Sequence, residues 1–570
     1  MPIFVLSIVY YYGWYKQFYN FMRYLTSRVL LIVLLSVSWS VANASCRAGE
    51  ELADRVLRDT TQLEMGGVAI VDDAIPNNQI WYTATRKVVP TVKSAFGAGY
   101  LTNEWNETTG KGVIIFDGDV VGVGAYAFMG CRSLDSVILP NSVTVIGQRA
   151  FTSCGRLAEI IIPEGVHTIG VDAFMGCERL ASVEIPSSVI VIGECAFQEC
   201  NHLENIVIPN SVQDIGGSLF AGCSRLKSVV LPEGMEVIGS NFFSGCESLV
   251  SIDIPSEVTE IRYDAFEYCR SLERVVLPAR VVLIDDYAFQ HCSALKSVEF
   301  NRVITTIGRD AFYGCKALEC VALPQSLSSL GYNAFGGCVC LKRFEGKYAE
   351  SDGRSLVRDN EIIAYANASG GEYTLPNYVS IVGENAFAGC SNLTSVELHS
   401  GVTTIGDCAF LDCKELGAIA IPESVMYVGY SAFENCAKLE SVVIPEGVTI
   451  LESSLFLGCE NLMEVVIPSS VTRVGEKAYR GCLALQTMQF PALLDTIEER
   501  AFLGCKSLSK LYFKGEVPPC FGVHVFDGVA NEVVAYVPSS EAIAAYRDVP
   551  ALNNLVDAII VSDIYNMCEN

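Results

Sequence analysis

The segment from residue 143 to residue 163 reads Val143-Thr-Val-Ile-Gly-Gln-Arg-Ala-Phe-Thr-Ser-Cys-Gly-Arg-Leu-Ala-Glu-Ile-Ile-Ile-Pro163, and its pattern recurs almost to the end of the chain. Its cysteine returns every 23 residues in two uninterrupted runs. The first run is Cys131, Cys154, Cys177, Cys200, Cys223, Cys246, Cys269, Cys292, Cys315 and Cys338, and the second is Cys390, Cys413, Cys436, Cys459, Cys482 and Cys505. A fixed period of this length predicts a stack of similar supersecondary units.

Two further columns accompany the cysteines. An aromatic residue stands three positions before each cysteine and a leucine three positions after it, as Phe151 and Leu157 do around Cys154. The leucine opens the pattern Leu-x-x-Val/Ile-x-Ile/Leu-Pro, whose alternation and closing proline indicate a short strand. In the next Ile-Gly, Gly147 would permit a tight bend or a positive φ, and a short helical or irregular return is expected to follow. One coil cannot bury its own apolar face, so stacked parallel coils are expected to share one core.

The repeat resembles the leucine-rich repeat of the BspA-like class, the 23-residue type found in surface proteins of Bacteroidetes and of trichomonad protozoa. The resemblance runs from about Gly112 to the end and extends to the lead-in Pro76-Asn-Asn-Gln-Ile-Trp-Tyr-Thr83. It implies an α/β repeat fold, a right-handed leucine-rich-repeat solenoid of about 17 coils with short parallel strands and caps at both ends. It also implies a secreted or surface-exposed protein that binds other proteins.

The pattern divides the chain into six predicted segments. They are a signal peptide at 1–44, a lead-in and cap at 45–111, repeats at 112–345, an inserted β-hairpin island at 346–375, repeats at 376–515, and a degenerate last repeat with a C-terminal cap at 516–570. The lead-in includes a predicted amphipathic helix at 50–58. The hairpin is predicted because two strand-like runs flank the turn pair Asp359-Asn360. It is either an island that the solenoid tolerates in a loop or a binding protrusion.

The amino end predicts export. Arg28 precedes a long aliphatic run, and Ala42-Asn-Ala44 provides a cleavage site, as in a secretory signal peptide. A tyrosine-rich stretch comes first, so a translation start at Met22 is an alternative. An uncleaved leader would anchor the chain in a membrane. Lipidation at Cys46 is the other alternative, although no aliphatic lipobox residue precedes it. We therefore expect a secreted or cell-surface protein.

Charge and motifs disfavour several function classes. The formal net charge of −26 repels phosphate backbones, which argues against nucleic-acid binding. The 5 histidines are scattered, and no metalloprotease, nucleophile-elbow or phosphate-loop motif occurs. The cysteines lack paired zinc spacing, and the ladder thiols are expected to form a buried column instead of disulfides. We predict no enzyme, no cofactor and no metal. An exported hydrolase with an unrecognised site and an extracellular sensor module are the alternatives.

The outward strand positions are the candidates for recognition, because the core does not use them. Several are aliphatic, and exposed apolar surface often marks protein contacts. The alternative is that this face is simply rich in residues that favour strands. The expected partners are proteins, such as host extracellular-matrix or other microbial surface proteins, contacted at many points along a rigid surface. Membrane contact is expected only through an uncleaved leader or lipidation. The predicted contact residues are Glu184, Val207, Val230, Asp253, Val276, Glu299, Thr374 and Glu397.

Overall fold

A computed structural model describes residues 75–553 and 556–561. The signal peptide predicted at 1–44 and the helix predicted at 50–58 lie outside the described residues. The described chain forms a parallel β-solenoid of about 19 turns with little helix, which confirms the predicted leucine-rich-repeat solenoid. The turn count exceeds the predicted 17 because Gly371–Thr374 and Val556–Val561 each add a strand that no ladder cysteine precedes.

The first row of strands, called the strand face below, carries the Leu-x-x-Val/Ile-x-Ile/Leu pattern. Its members pair in parallel from coil to coil, so that Ser136, Val137 and Ile138 lie beside Glu159, Ile160 and Ile161. The coils that contain Glu184 and Asp253 have no regular strand there. The strands are Leu134–Ile138, Glu159–Ile161, Asn205–Val207, Ser228–Val230, Arg274–Val276, Ser297–Glu299, Cys320–Leu323, Arg343–Gly346, Gly371–Thr374, Leu393–Glu397, Ala418–Ile419, Ser441–Val443, Glu464–Val466, Thr487–Phe490, Lys510–Phe513, Val533–Val537 and Val556–Val561.

A second row of two-residue strands precedes the turn in each coil. It also pairs in parallel, as Val145 and Ile146 do with Thr168 and Ile169. The inward residue of most pairs, such as Ile146, is buried, and Ile215 and Phe521 are partly buried. The strands are Gly122–Val123, Val145–Ile146, Thr168–Ile169, Val191–Ile192, Asp214–Ile215, Val237–Ile238, Glu260–Ile261, Leu283–Ile284, Thr306–Ile307, Ser329–Leu330, Ile381–Val382, Thr404–Ile405, Tyr427–Val428, Ile450–Leu451, Arg473–Val474, Thr496–Ile497 and Cys520–Phe521.

The return to the cysteine is made of turns in every described repeat. Two residues of each return have positive φ, as Arg149 and Ser153 do at 55° and 59°, and such residues interrupt a helix. Of the two roles expected for Gly147, a tight bend or a positive φ, the positive φ does not occur. Glycine is required there for another reason, because a Cβ at Gly147 would lie 2.8 Å from the Ala125 nitrogen of the preceding coil.

The core consists of columns that continue from coil to coil. Phe151 and Phe174 stack with ring centroids 5.4 Å apart and an interplanar angle of 3°. The Cys177 thiol donates a hydrogen bond to the Phe151 carbonyl oxygen at 3.2 Å, so the cysteine column joins adjacent coils. Serines after the proline do the same, since Ser188 donates to the Val166 carbonyl at 2.6 Å. Each coil is therefore stabilised mainly by its neighbours.

Both described ends depart from the repeat. At the amino end Gln79–Ala84, Tyr100–Asn106 and Lys111–Phe116 form an antiparallel unit, which joins the first coil where Trp81 lies beside Ile138. At the carboxyl end two short helices, Ser540–Arg547 and Pro550–Asn553, precede the last strand. Ser539 caps the first of these helices by accepting a hydrogen bond from the Ala542 amide. In the described part of the chain no helix is long and apolar enough to span a bilayer.

An antiparallel hairpin of Ser355–Arg358 and Glu361–Tyr365 interrupts the repeats, followed by a 3-10 turn at Asn367–Ser369. Its turn residues Asp359 and Asn360 both have positive φ, as a two-residue hairpin turn requires. The buried core divides at this point, and the second cluster begins at Ile362.

Candidate protein-binding surface

All eight residues predicted to contact a partner are exposed: Glu184, Val207, Val230, Asp253, Val276, Glu299, Thr374 and Glu397. They occupy the central outward position of the strand face. Val207, Val230 and Val276 are 57%, 56% and 48% exposed, whereas the residues on either side of Val230, Val229 and Leu231, point into the core. The alternation of the strand therefore fixes which side chains a partner can reach.

The structure brings six of the eight together. Residues Glu184 to Glu299 of this set lie on six consecutive coils, and neighbouring parallel strands are separated by about 4.8 Å. Val207 pairs directly with Val230, and Val276 pairs directly with Glu299. The other two, Thr374 and Glu397, lie beyond the hairpin. They form their own cross-strand pair, in which the Thr374 hydroxyl donates to Glu397 Oε2 at 3.1 Å.

Charge is distributed unevenly along this column. Glu299 forms an ion pair with Arg274 across adjacent strands. Directly before the strands, lysine–glutamate pairs link adjacent coils, as Lys227 Nζ does with Glu204 Oε2 at 2.8 Å. These pairs are exposed, so each contributes little to stability. Glu184 and Asp253, by contrast, have neither an ion-pair nor a hydrogen-bond partner among the described residues.

The eight predicted contacts do not include several other apolar and aromatic residues of this face. Val443 and Val466 form a second valine pair in the same column, at 55% and 46% exposed. Met463 is 52% exposed in a neighbouring column. Near the carboxyl end Tyr512 and Tyr536 stack on the same face with ring centroids 4.3 Å apart. For the valine and tyrosine pairs the signal was the column position already used for Val207, whereas Met463 lies outside that column.

The repeat can now be compared with known families. A family model described as a BspA type leucine rich repeat region (6 copies) matches residues 121–241, 215–342, 362–485 and 449–531, which together exceed half of the chain. The chain belongs to the BspA-type leucine-rich repeat family. The gap between matched residues 342 and 362 contains the first strand of the hairpin, Ser355–Arg358, and its turn.

Solved structures of leucine-rich repeat proteins resemble this BspA-type chain over most of their own length. A leucine-rich repeat protein from Bacteroides ovatus is 25% identical, covers 81% of this chain and 90% of its own, and has a TM-score of 0.30. A leucine rich cell surface protein from Faecalibacterium prausnitzii is 24% identical over 66% and 83%, with a TM-score of 0.39. The pneumococcal vaccine antigen PcpA is 21% identical over 66% and 85%, with a TM-score of 0.42. No protein with a curated description matches the chain.

The cysteines of the BspA-type repeats are poorly placed for chemistry. In the described residues all are free thiols, and only Cys340 and Cys520 are exposed. Burial raises the pKa of the Cys177 and Cys223 thiols to about 12, which suppresses the reactive thiolate. No cluster of three or more metal-ligating side chains occurs in the described part of the chain. Leucine-rich repeat proteins are generally binding scaffolds.

Proposed function

We propose that this chain is a secreted or cell-surface, non-enzymatic scaffold that binds other proteins in an adhesin-like manner through its strand face. The observation that carries the proposal is the column of exposed aliphatic residues, with Val207 and Val230 more than half exposed on adjacent strands. Exposed apolar surface of this kind costs free energy in water unless a partner covers it. Family membership supports the same function.

The proposed mechanism is multivalent contact. Each coil adds the same small outward surface at a fixed spacing, so a long partner gains several weak contacts at once. The inter-coil hydrogen bonds of the cysteine column and the stacked phenylalanines hold these surfaces in register. Because this array is already ordered, binding of a partner costs the scaffold little conformational entropy.

A pull-down from surface extracts and extracellular-matrix proteins tests the proposal. The bait is the mature chain, and the variant carries lysine at Val207, Val230, Asp253 and Val276. Because all four side chains are exposed, we expect the variant to unfold at nearly the wild-type temperature and to lose most captured protein. Capture that is equal for the wild type and a folded variant would exclude the strand face around these residues.

Export is part of the same proposal. Amino-terminal sequencing of the extracellular form is expected to begin at Ser45, directly after Ala44. A lipid-modified Cys46 or an intact leader would identify one of the two anchored alternatives. Recovery of the chain only inside the cell would contradict export.

A further inference from the structure

We propose that Glu184, Val207, Val230 and Asp253 form a docking surface for a basic amphipathic α-helix of a protein partner. These four residues lie on four consecutive coils of the strand face. The two valines together with the carboxylate on either side of them are called the framed valine pair below. The inference rests on the proposed function and names the chemistry of the partner.

Charge complementarity determines the sign of the partner. Two exposed valines lie side by side, and an exposed carboxylate lies on the next coil at either end. Neither carboxylate is neutralised within the described chain, although Glu299 in the same column is paired with Arg274. With the chain at a formal charge of −26, an apolar segment that carries lysine or arginine at both ends fits this surface best.

The spacing selects a helix. Successive coils are about 4.8 Å apart, and residues at i and i+3 or i+4 of a helix rise by about 4.5–6 Å along its axis. A helix that lies along the stack can therefore contact every coil. An extended strand repeats its same-face side chains at about 6.6–6.8 Å and loses register within two coils. A polyproline helix repeats at about 9.3 Å and reaches only one of the two valines.

The distance between the carboxylates fixes the spacing of the cations. Glu184 and Asp253 are three coils apart, or about 14 Å, which a helix spans in about 9–11 residues. The matching helical face has a cation, two apolar residues and a second cation at positions i, i+4, i+7 and i+11. All four positions lie within about 60° of one another around the helix.

The chain contains its own control surface. Val443 and Val466 form an equally exposed pair with the same parallel register. The neighbouring coils place Ala420 and Gln489 in the same column, so no carboxylate lies before or after this pair within the column. The nearest carboxylate on the face is Glu464, two residues before Val466 on the same strand. A basic helix is expected to bind the framed valine pair more tightly than the pair Val443 and Val466. Nonspecific hydrophobic binding to exposed valine would give the two surfaces equal affinity.

The test uses a synthetic probe and the mature chain. The probe is a 16-residue helical peptide with Lys, Leu, Leu and Lys at positions 3, 7, 10 and 14 and alanine or glutamine elsewhere. Its control has the same composition in a scrambled order that separates these residues around the helix. Fluorescence anisotropy is expected to give a dissociation constant at least tenfold lower for the probe than for the scrambled peptide. Equal affinities would overturn the proposal.

Paired variants then locate the site. Glu184→Gln with Asp253→Asn keeps the shape, and we expect about threefold to tenfold weaker binding of the probe with a smaller dependence on salt. Val207→Lys with Val230→Lys is expected to weaken binding more than tenfold, and Val443→Lys with Val466→Lys is expected to leave it unchanged. Equal losses at the two valine pairs, or no effect of the amide variant, would overturn the proposal. Thermal unfolding verifies that each variant is folded.

The outcome separates the inference from the proposed function. If the probe fails while the pull-down still depends on the strand face, the helix proposal is wrong and the scaffold proposal stands. If the pull-down is independent of the strand face, the scaffold proposal fails as well.

Discussion

The Cys246 thiol donates a hydrogen bond to the Phe220 carbonyl oxygen at 3.2 Å, although the two residues are 26 positions apart in the chain. The same carbonyl accepts the Cys223 amide of its own turn at 3.0 Å. The contact repeats along the ladder, so one sulfur per coil both fills the core and links neighbouring coils. The column is more than the apolar filling that the sequence predicts.

The first prediction concerns substitutions of Cys246. A serine finds the Phe220 carbonyl as an acceptor, so the penalty for an unpaired buried hydroxyl is avoided. Cys246→Ala loses the donor and part of the packing, and we expect it to destabilise the chain by about 1–2 kcal/mol. Cys246→Ser should cost no more than that in urea-induced unfolding. A serine variant about 2 kcal/mol worse than the alanine variant would show that the hydroxyl has no acceptor.

The second prediction concerns thiol reactivity. Burial raises the pKa of Cys177, Cys223 and Cys338 to about 12, so at pH 8 almost no thiolate forms at these positions. We expect iodoacetamide to modify Cys340 and Cys520 in the native chain. The buried ladder should react only in guanidinium chloride. Peptide mass spectrometry separates the positions, and native modification of Cys177 at the rate of Cys340 would contradict the packed column.

The third prediction concerns backbone strain in the turns. Gly504 has a φ of +77°, and no atom lies within 4 Å of the position that a Cβ would take, so Gly504→Ala introduces strain without a clash. We expect a loss of about 1 kcal/mol or more in the free energy of unfolding. Gly417 has equal space and no positive φ, so Gly417→Ala is the matched control and should be neutral or stabilising. Equal effects of the two substitutions would show that φ is not the cause.

The sequence predicted the solenoid because Phe151, Cys154 and Leu157 repeat in a register that only a stacked core requires. It predicted the outward side chains because strand alternation leaves Val207 no other direction. It did not predict the hydrogen bonds of the cysteines, since a thiol acquires an acceptor only when the coils are stacked. It allowed either a tight bend or a positive φ at Gly147, whereas the backbone places the positive φ on Arg149, whose side chain gives no such signal.

The candidate surface was predictable only in part. Alternation identified the column, but the ion pair of Glu299 with Arg274 joins two columns and two coils, and no periodic pattern reveals it. Likewise, the sequence does not reveal that Glu184 and Asp253 have no such partner in the described chain, because this depends on the folded arrangement.

The fourth prediction concerns Tyr479, which replaces phenylalanine in the aromatic column. Its ring stacks on Phe456 and Phe502 at 5.4 Å and 5.1 Å, but its buried hydroxyl has no hydrogen-bond partner among the described residues. Tyr479→Phe removes the unpaired group and keeps the stack, so we expect a gain of about 1–2 kcal/mol in the free energy of unfolding. Tyr546 is equally buried, but its hydroxyl donates to the Gly515 carbonyl at 3.0 Å.

The matched substitution Tyr546→Phe should therefore destabilise the chain by about 1 kcal/mol, because it removes a hydrogen bond that is made. The two changes delete the same atom, so their opposite signs isolate the partner as the cause. Urea-induced unfolding of both variants measures the difference. If Tyr479→Phe lowers stability as Tyr546→Phe does, the Tyr479 hydroxyl has a partner in solution, such as a bound water, and the phenylalanine column tolerates it without cost.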